Sequence, residues 1–279
     1  MMLKQRFTQC PLCFGSIDRC EPFKTADTTH HPLFKPELPA QLHWLRCADC
    51  AHVFTQDCWT TEGEEVVFGS TLSYQLPGTQ QSEQLRNQWA PTVYRVANRL
   101  SETQGYESVY AKIGAQRPIW LDVGFGNGGL LMTADEFGFA VIGIDVRTQA
   151  VERMQSLGYR ALCADFDQLT LDDPLAVLSM ADVLEHMRDP RDALRKTHAM
   201  LRPNGLMYIS CPNSETATWR QWEQEDTNPY WAELEHYHNF SREKLVGLLD
   251  EHGFSVVDYF VSSRYYSCLE LVARKRGTP

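Results

Sequence analysis

The chain of 279 residues lacks any apolar run approaching the roughly 20 residues that cross a bilayer, so no membrane partner is expected. Its opening, MMLKQRFTQC, lacks the apolar stretch of a secretory signal, and a cytoplasmic location is expected. Positive charge is scarce. Lys and Arg number 26 against 36 Asp and Glu, for a formal charge of −10. Such a field repels polyanions, and residues 1–60 hold no basic stretch, so nucleic acid is not the expected partner. Internal repeats and low-complexity tracts are missing, which sets aside solenoids and disordered tails. The nine cysteines are an odd number in a chain without a secretion signal, which argues against a disulfide framework. What remains, 43% hydrophobic and 22% charged, suits one medium globular domain plus a small one.

Four of the nine cysteines fall in two C-x-x-C pairs, CPLC (Cys10, Cys13) and CADC (Cys47, Cys50). Two such knuckles bring four thiolates together, the donor set of structural Zn²⁺. A proline-containing segment of this size buries little core, so the metal would supply much of its folding energy. Four thiolates leave no open coordination position for catalysis. Residues 1–60 thus read as a zinc-binding module and 61–117 as a linker with a helical lid. Within that lid, Leu85, Trp89, Val93, Val96 and Leu100 form an apolar stripe, and Tyr74 is expected beside it.

From residue 118 onward, strand-like runs alternate with helical ones, the pattern of a parallel sheet covered on both faces. The strands read as PIWLDV, AVIGID, YRALCA, LAVLSM and LMYISC. A helix opened by Ser241 and two further strands follow. The first strand runs into LDVGFGNGGL, whose glycines fit both G-x-G-x-x-G and an acidic residue followed by G-x-G-x-G. Either form lets backbone approach a ligand closely at a helix start. Asp145, at the end of the next strand, suits ribose hydroxyls of NAD or S-adenosylmethionine (SAM) alike. Asp165, after the third strand, suits an adenine amino group.

LDVGFGNG, GIDV, ADF, DVLEHMRDP, LRPNGLMYIS and HNFSREKLVGLLDEHGF occur in this order over residues 118–273. In them the chain resembles the class I SAM-dependent methyltransferases. The resemblance implies an α/β fold with a Rossmann-like seven-stranded sheet, its last strand antiparallel, spanning 118–279. It implies that Gly124, Gly126 and Gly128 pack against the methionine part of SAM, with Asp122 near its amino group. Asp145 and the adjoining Val146 would take the ribose, and Asp165 with the Phe166 backbone the adenine. Phe125, on the glycine loop, is expected at the cofactor too, although it departs from the family, which often has a small residue there.

Methyl transfer needs alignment and, for a hydroxyl or acidic carbon, a base. Imidazole suits that role, and His186, His236 and His238 are the candidates. Asp182, Glu185 and His186 also form D-x-x-E-H. This resembles the E-x-x-E-H site of the ubiquinone-biosynthesis O-methyltransferases and of the small-RNA 2′-O-methyltransferases, with aspartate for the first glutamate, which implies a second metal such as Mg²⁺ orienting the acceptor. Aromatics crowd residues 219–240, in place to wall a small organic acceptor. The expected activity is methylation of a small molecule (a sugar, glycan precursor or specialised metabolite), on oxygen before carbon. RNA methylation through the zinc arm and a non-catalytic SAM-binding role are the alternatives, and a homodimer is left open.

Overall fold

The computed structural model describes residues 3–69, 82–104 and 117–277; Tyr74 lies outside them. No helix among these residues is long and apolar enough to cross a membrane. The elements run β1 (Lys4–Arg6), β2 (Cys20–Asp27), β3 (Gln41–Cys47), β4 (Val53–Thr55), β5 (Asp57–Trp59), α1 (Thr61–Phe68) and α2 (Ser82–Gln104). There follow β6 (Ile119–Val123), α3 (Gly129–Glu136), β7 (Ala140–Asp145), α4 (Thr148–Ser156), β8 (Ala161–Cys163), β9 (Leu175–Ala181), α5 (Pro190–Met200) and β10 (Leu201–Pro212). The chain ends with α6 (Ala217–Glu225), β11 (His238–Asn239), α7 (Arg242–Glu251), β12 (Phe254–Val261) and β13 (Cys268–Lys275).

The large sheet has seven strands in the order β12-β13-β10-β9-β6-β7-β8. β8, β7, β6, β9 and β10 are parallel to one another, while β13 is antiparallel to both β10 and β12. β6 and β9 are near-continuously apolar because both faces are covered. One face buries Leu121, Val123, Leu178, Met207 and Ile209 against α5 and α7; the other buries Trp120, Val177 and Tyr208 against α2 and α3. The stripe of α2 accordingly inserts Trp89, Val93, Val96 and Leu100, with Pro91 inside the helix. Ser241 caps α7 as expected, its side chain accepting from Lys244 N–H. Strand order reverses at β6, so β6 and its neighbours β7 and β9 open a crevice at their C-terminal ends, where open α/β sheets bind ligands.

The N-terminal residues are more regular than their composition suggests. β2, β3 and β4 form an antiparallel sheet, and its fourth strand is β11, supplied by the C-terminal part of the chain. Cys10, Leu12, Leu45, Cys47 and Phe54 share one apolar cluster with Leu245, Leu248 and Phe254. The two parts therefore have a continuous core.

Candidate active site

β6 ends at Val123, and the chain then turns through Gly124 (φ 62°), Gly126 (φ 56°) and Gly128 (φ 76°) into α3. Left-handed backbone favours glycine at all three. A Cβ on Gly124 would also lie 2.8 Å from Val183 Cγ2, whereas one on Gly126 would meet nothing closer than 3.9 Å. The loop is thus packed behind and open in front, and it borders a cleft of about 1460 Å³. Phe125 turns its ring away from that cleft, packing beside Gly143 and Leu131 in a buried cluster, which accounts for a large residue at this position.

Asp145 ends β7 beneath the loop. It accepts from the N–H groups of Gly126 (3.1 Å) and Arg147 (3.0 Å) and pairs with the Arg147 guanidinium at 2.7 Å. The carboxylate is thereby fixed at the crevice, with half-exposed Val146 beside it. Asp165 caps a short 3₁₀ turn by accepting from Asp167 N–H at 2.9 Å, and Phe166 is buried below it. Asp122 is 2% exposed and accepts from Ser179 Oγ at 2.5 Å. Burial, helped by the charge of Asp145, pushes its carboxyl up to about 7. Of the nine residues expected at SAM, eight line the cleft, and the ninth, Gly128, opens α3 behind it.

Across the cleft, the 3₁₀ turn Leu184–His186 follows β9 and meets the segment leading into β11. Glu185, His186 and His236 bring one ligand atom each to within 4.8 Å of one another. Glu185 Oε2, His186 Nε2 and His236 Nδ1 are buried without a hydrogen-bond partner among the described residues. Burial, and then Asp182, hold the Glu185 carboxyl well above the usual range. Burial keeps both imidazoles neutral: His186 is pushed down to about 3 and His236 well below its ordinary value. Neutral imidazoles beside a carboxylate suit a divalent cation, or a base that is ready to accept a proton.

Two sequence expectations are corrected here. Asp182 does not join the triad. Its carboxylate is taken by Ser210 Oγ (2.5 Å) and Arg264 (3.1 Å), and His236 occupies the place foreseen for it. His238 is not in the cleft. Two residues along the segment from His236, it is fully buried, with Nδ1 3.1 Å from His52 Nε2 and Nε2 2.8 Å from the Met187 carbonyl oxygen.

Both ring nitrogens are engaged, so this histidine joins the N-terminal sheet to the turn that carries His186.

The sequence reading missed Arg264. The Arg264 guanidinium lies 3.9 Å over the Trp89 ring and pairs with Asp182 and Glu270, tying α2 to the cleft. Tyr230 stacks between Trp219 and His236, at 5.3 and 6.0 Å between ring centres. No local motif announces an arginine that acts through partners distant in sequence. The four Sγ atoms of Cys10, Cys13, Cys47 and Cys50 lie within 4.8 Å of one another, with Cys10–Cys50 and Cys13–Cys47 both at 3.6 Å. A tetrahedron with Zn–S near 2.3 Å has edges of about 3.8 Å, so the donors fit that ion, and all nine cysteines are free thiols. The same N-terminal part grips the cleft wall. Trp44 and Trp59 donate their indole N–H groups to the carbonyls of Trp231 (2.9 Å) and Leu234 (2.8 Å).

The sheet order, the glycine turn and the acidic residues at the ends of β7 and β8 define a class I SAM-dependent methyltransferase. The methyltransferase domain family matches residues 83–259, and the chain belongs to it. A ubiquinone biosynthesis O-methyltransferase from Caulobacter vibrioides is 34% identical over 33% of this chain and 40% of its own length. One from Colwellia psychrerythraea is 26% identical over 54% of this chain and 67% of its own. The chain thus spans from under half to about two thirds of these relatives. A magnesium protoporphyrin IX methyltransferase from Synechocystis, solved with bound SAH, shares the fold with a TM-score of 0.51 at 17% identity, covering 71% of this chain and 88% of that one.

Proposed function

We propose that the chain methylates a hydroxyl group of a small-molecule acceptor (a sugar, glycan precursor or specialised metabolite), with Glu185, His186 and His236 holding a divalent cation such as Mg²⁺ at the acceptor. The observation that carries this reading is the set of three buried donor atoms without partners at one wall of the cleft. Uncompensated polar atoms cost about 1–3 kcal/mol each, so a ligand that satisfies them would recover that cost.

SAM supplies an electrophilic methyl group. Gly124 and Gly126 let backbone close on its methionine part, Asp122 faces its ammonium, and Asp145 and Asp165 take ribose and adenine. The cation supplies Lewis acidity that makes an acceptor hydroxyl easier to deprotonate. Tyr230 fixes the His236 ring by stacking, and Trp222 adds an apolar wall that limits water. Cys10, Cys13, Cys47 and Cys50 hold a structural zinc that keeps this wall in place. The chain works in the cytoplasm and meets its acceptor there.

The test is transfer of labelled methyl from SAM into a pool of hydroxylated metabolites, with and without a mild chelator. Loss of transfer on chelation, recovery with added Mg²⁺, and the same loss in His186→Ala support the cation. If chelation has no effect while His236→Ala lowers turnover by roughly 10²–10⁴-fold, His236 is instead a metal-free base. Full turnover under all three conditions rejects both roles.

A further inference from the structure

A second group of ionisable side chains adjoins this triad and has no part in it. His31, in the N-terminal part, meets Glu233 and Glu235 across the cleft wall, with one ligand atom from each within 4.8 Å of the others. His31 Nε2 lies 2.9 Å from Glu233 Oε2. Both glutamates line the cleft. No hydrogen bond or ion pair among the described residues engages the Glu235 carboxylate.

The hydrogen-bond pattern decides what such a group holds. His31 Nδ1 receives the N–H of Leu33 at 3.2 Å, so that nitrogen presents a lone pair and Nε2 carries the proton. A metal-bound histidine has the opposite arrangement: its free nitrogen donates to an acceptor and its lone pair faces the ion. His31 is therefore a donor that orients Glu233, and the cluster offers carboxylate oxygens rather than three metal ligands. Among the described residues, the lining offers this pair no uncommitted positive charge. Arg147, Arg188 and Arg264 line the cleft, but each already pairs with a carboxylate there, Asp145, Glu64 and Asp182 respectively. No lysine among the described residues lines it. Glu185 of the adjoining triad, 1% exposed, adds a further buried carboxyl group to the same cleft. The aromatic rings of Tyr230 and Trp222 border the same space, and such rings favour a cation over their faces.

We propose that Glu233 and Glu235, with Glu233 oriented by His31, form a subsite for a protonated amine, so that the acceptor is a hydroxyl-bearing amine. This rests on the small-molecule methyltransferase reading and narrows its substrate class. The N-terminal part then contributes directly to acceptor choice, through His31.

The probe is methylammonium chloride, titrated into SAH-saturated full-length protein against potassium chloride at equal ionic strength, with the histidine imidazole protons followed by NMR. A saturable shift of the His31 signal with methylammonium, absent with potassium, is expected. Glu233→Gln and Glu235→Gln should each weaken it at least tenfold while SAH binding, measured by calorimetry, stays unchanged. A protein that binds SAH but gives no saturable methylammonium response, or responds equally to potassium, overturns the subsite alone. So does a second equivalent of bound Mn²⁺ that is lost in Glu233→Gln, since that would make the cluster a metal site. Failure to bind SAH overturns the methyltransferase reading itself.

Discussion

Asp122 carries a cost that the cofactor can remove. Its carboxyl is raised from the usual 3.8 to about 7, chiefly by burial. The folded protein therefore holds that proton more tightly than the unfolded chain does. The associated stability is fully present below pH 4 and is lost as pH rises through 7, at about 1.4 kcal/mol per unit. A positive ammonium beside the carboxylate reverses the preference. SAM should accordingly bind more tightly at pH 8 than at pH 6, and Asp122→Asn should flatten both trends. Calorimetry across that range, with thermal melts of the free protein, checks it; a wild-type SAM affinity independent of pH counts against this role. Asp145 presents the simpler case. Its carboxylate orders Gly126 N–H and Arg147 as well as facing the crevice, so Asp145→Ala should weaken SAM by roughly 1.5–3 kcal/mol, the scale of hydrogen bonds to a charged group. An unchanged dissociation constant would remove Asp145 from the cofactor site.

Among the elements, the β-α units of the core were the most legible in the sequence. β7 and β12 match the expected runs 140–145 and 254–261, because long apolar runs and Ser, Gly or Pro punctuation coincide there. β10 begins at Leu201, five residues before the expected LMYISC, because Leu201 pairs with Leu175 before the strand bulges through 202–205. The N-terminal sheet was not legible: its strands are short, and β11 is two residues long and pairs with a strand almost two hundred positions away. The triad was half legible. Glu185 and His186 are neighbours in sequence, but His236 reaches them through tertiary packing, which no spacing rule encodes. This long-range pairing has a mechanical result. Thr55 N–H donates to the Tyr237 carbonyl at 2.9 Å, and β4 pairs antiparallel with β11. Cys47→Ser should therefore increase amide exchange both in residues 41–55 and in 228–240, while SAM affinity stays within about twofold. Exchange confined to residues 3–60 would show that the two parts move independently.

On the scale of the whole molecule, the acidic charge belongs with the cleft as well as with the surface. Arg147, Arg188 and Arg264 are already committed to carboxylates, so among the described residues of the lining an anionic acceptor meets no unspent cation. Carboxylated or phosphorylated analogues of any accepted substrate should be methylated at least tenfold less efficiently than the neutral or amine-bearing forms. A competition assay with matched pairs decides this, and a preference for the anionic member would require a different account of the cleft.

The shared sheet also bears on how this chain can be taken apart. β11 is an edge strand whose partner, β4, comes from the N-terminal part. Cutting the chain near residue 60 would leave that edge without its hydrogen-bonding neighbour and strip the apolar covering from Leu245 and Leu248. Bare edges and uncovered leucines invite self-association. A catalytic half excised for grafting onto another scaffold would thus be a poor transplant: the segment that reads as a detachable accessory is also the floor beneath His236.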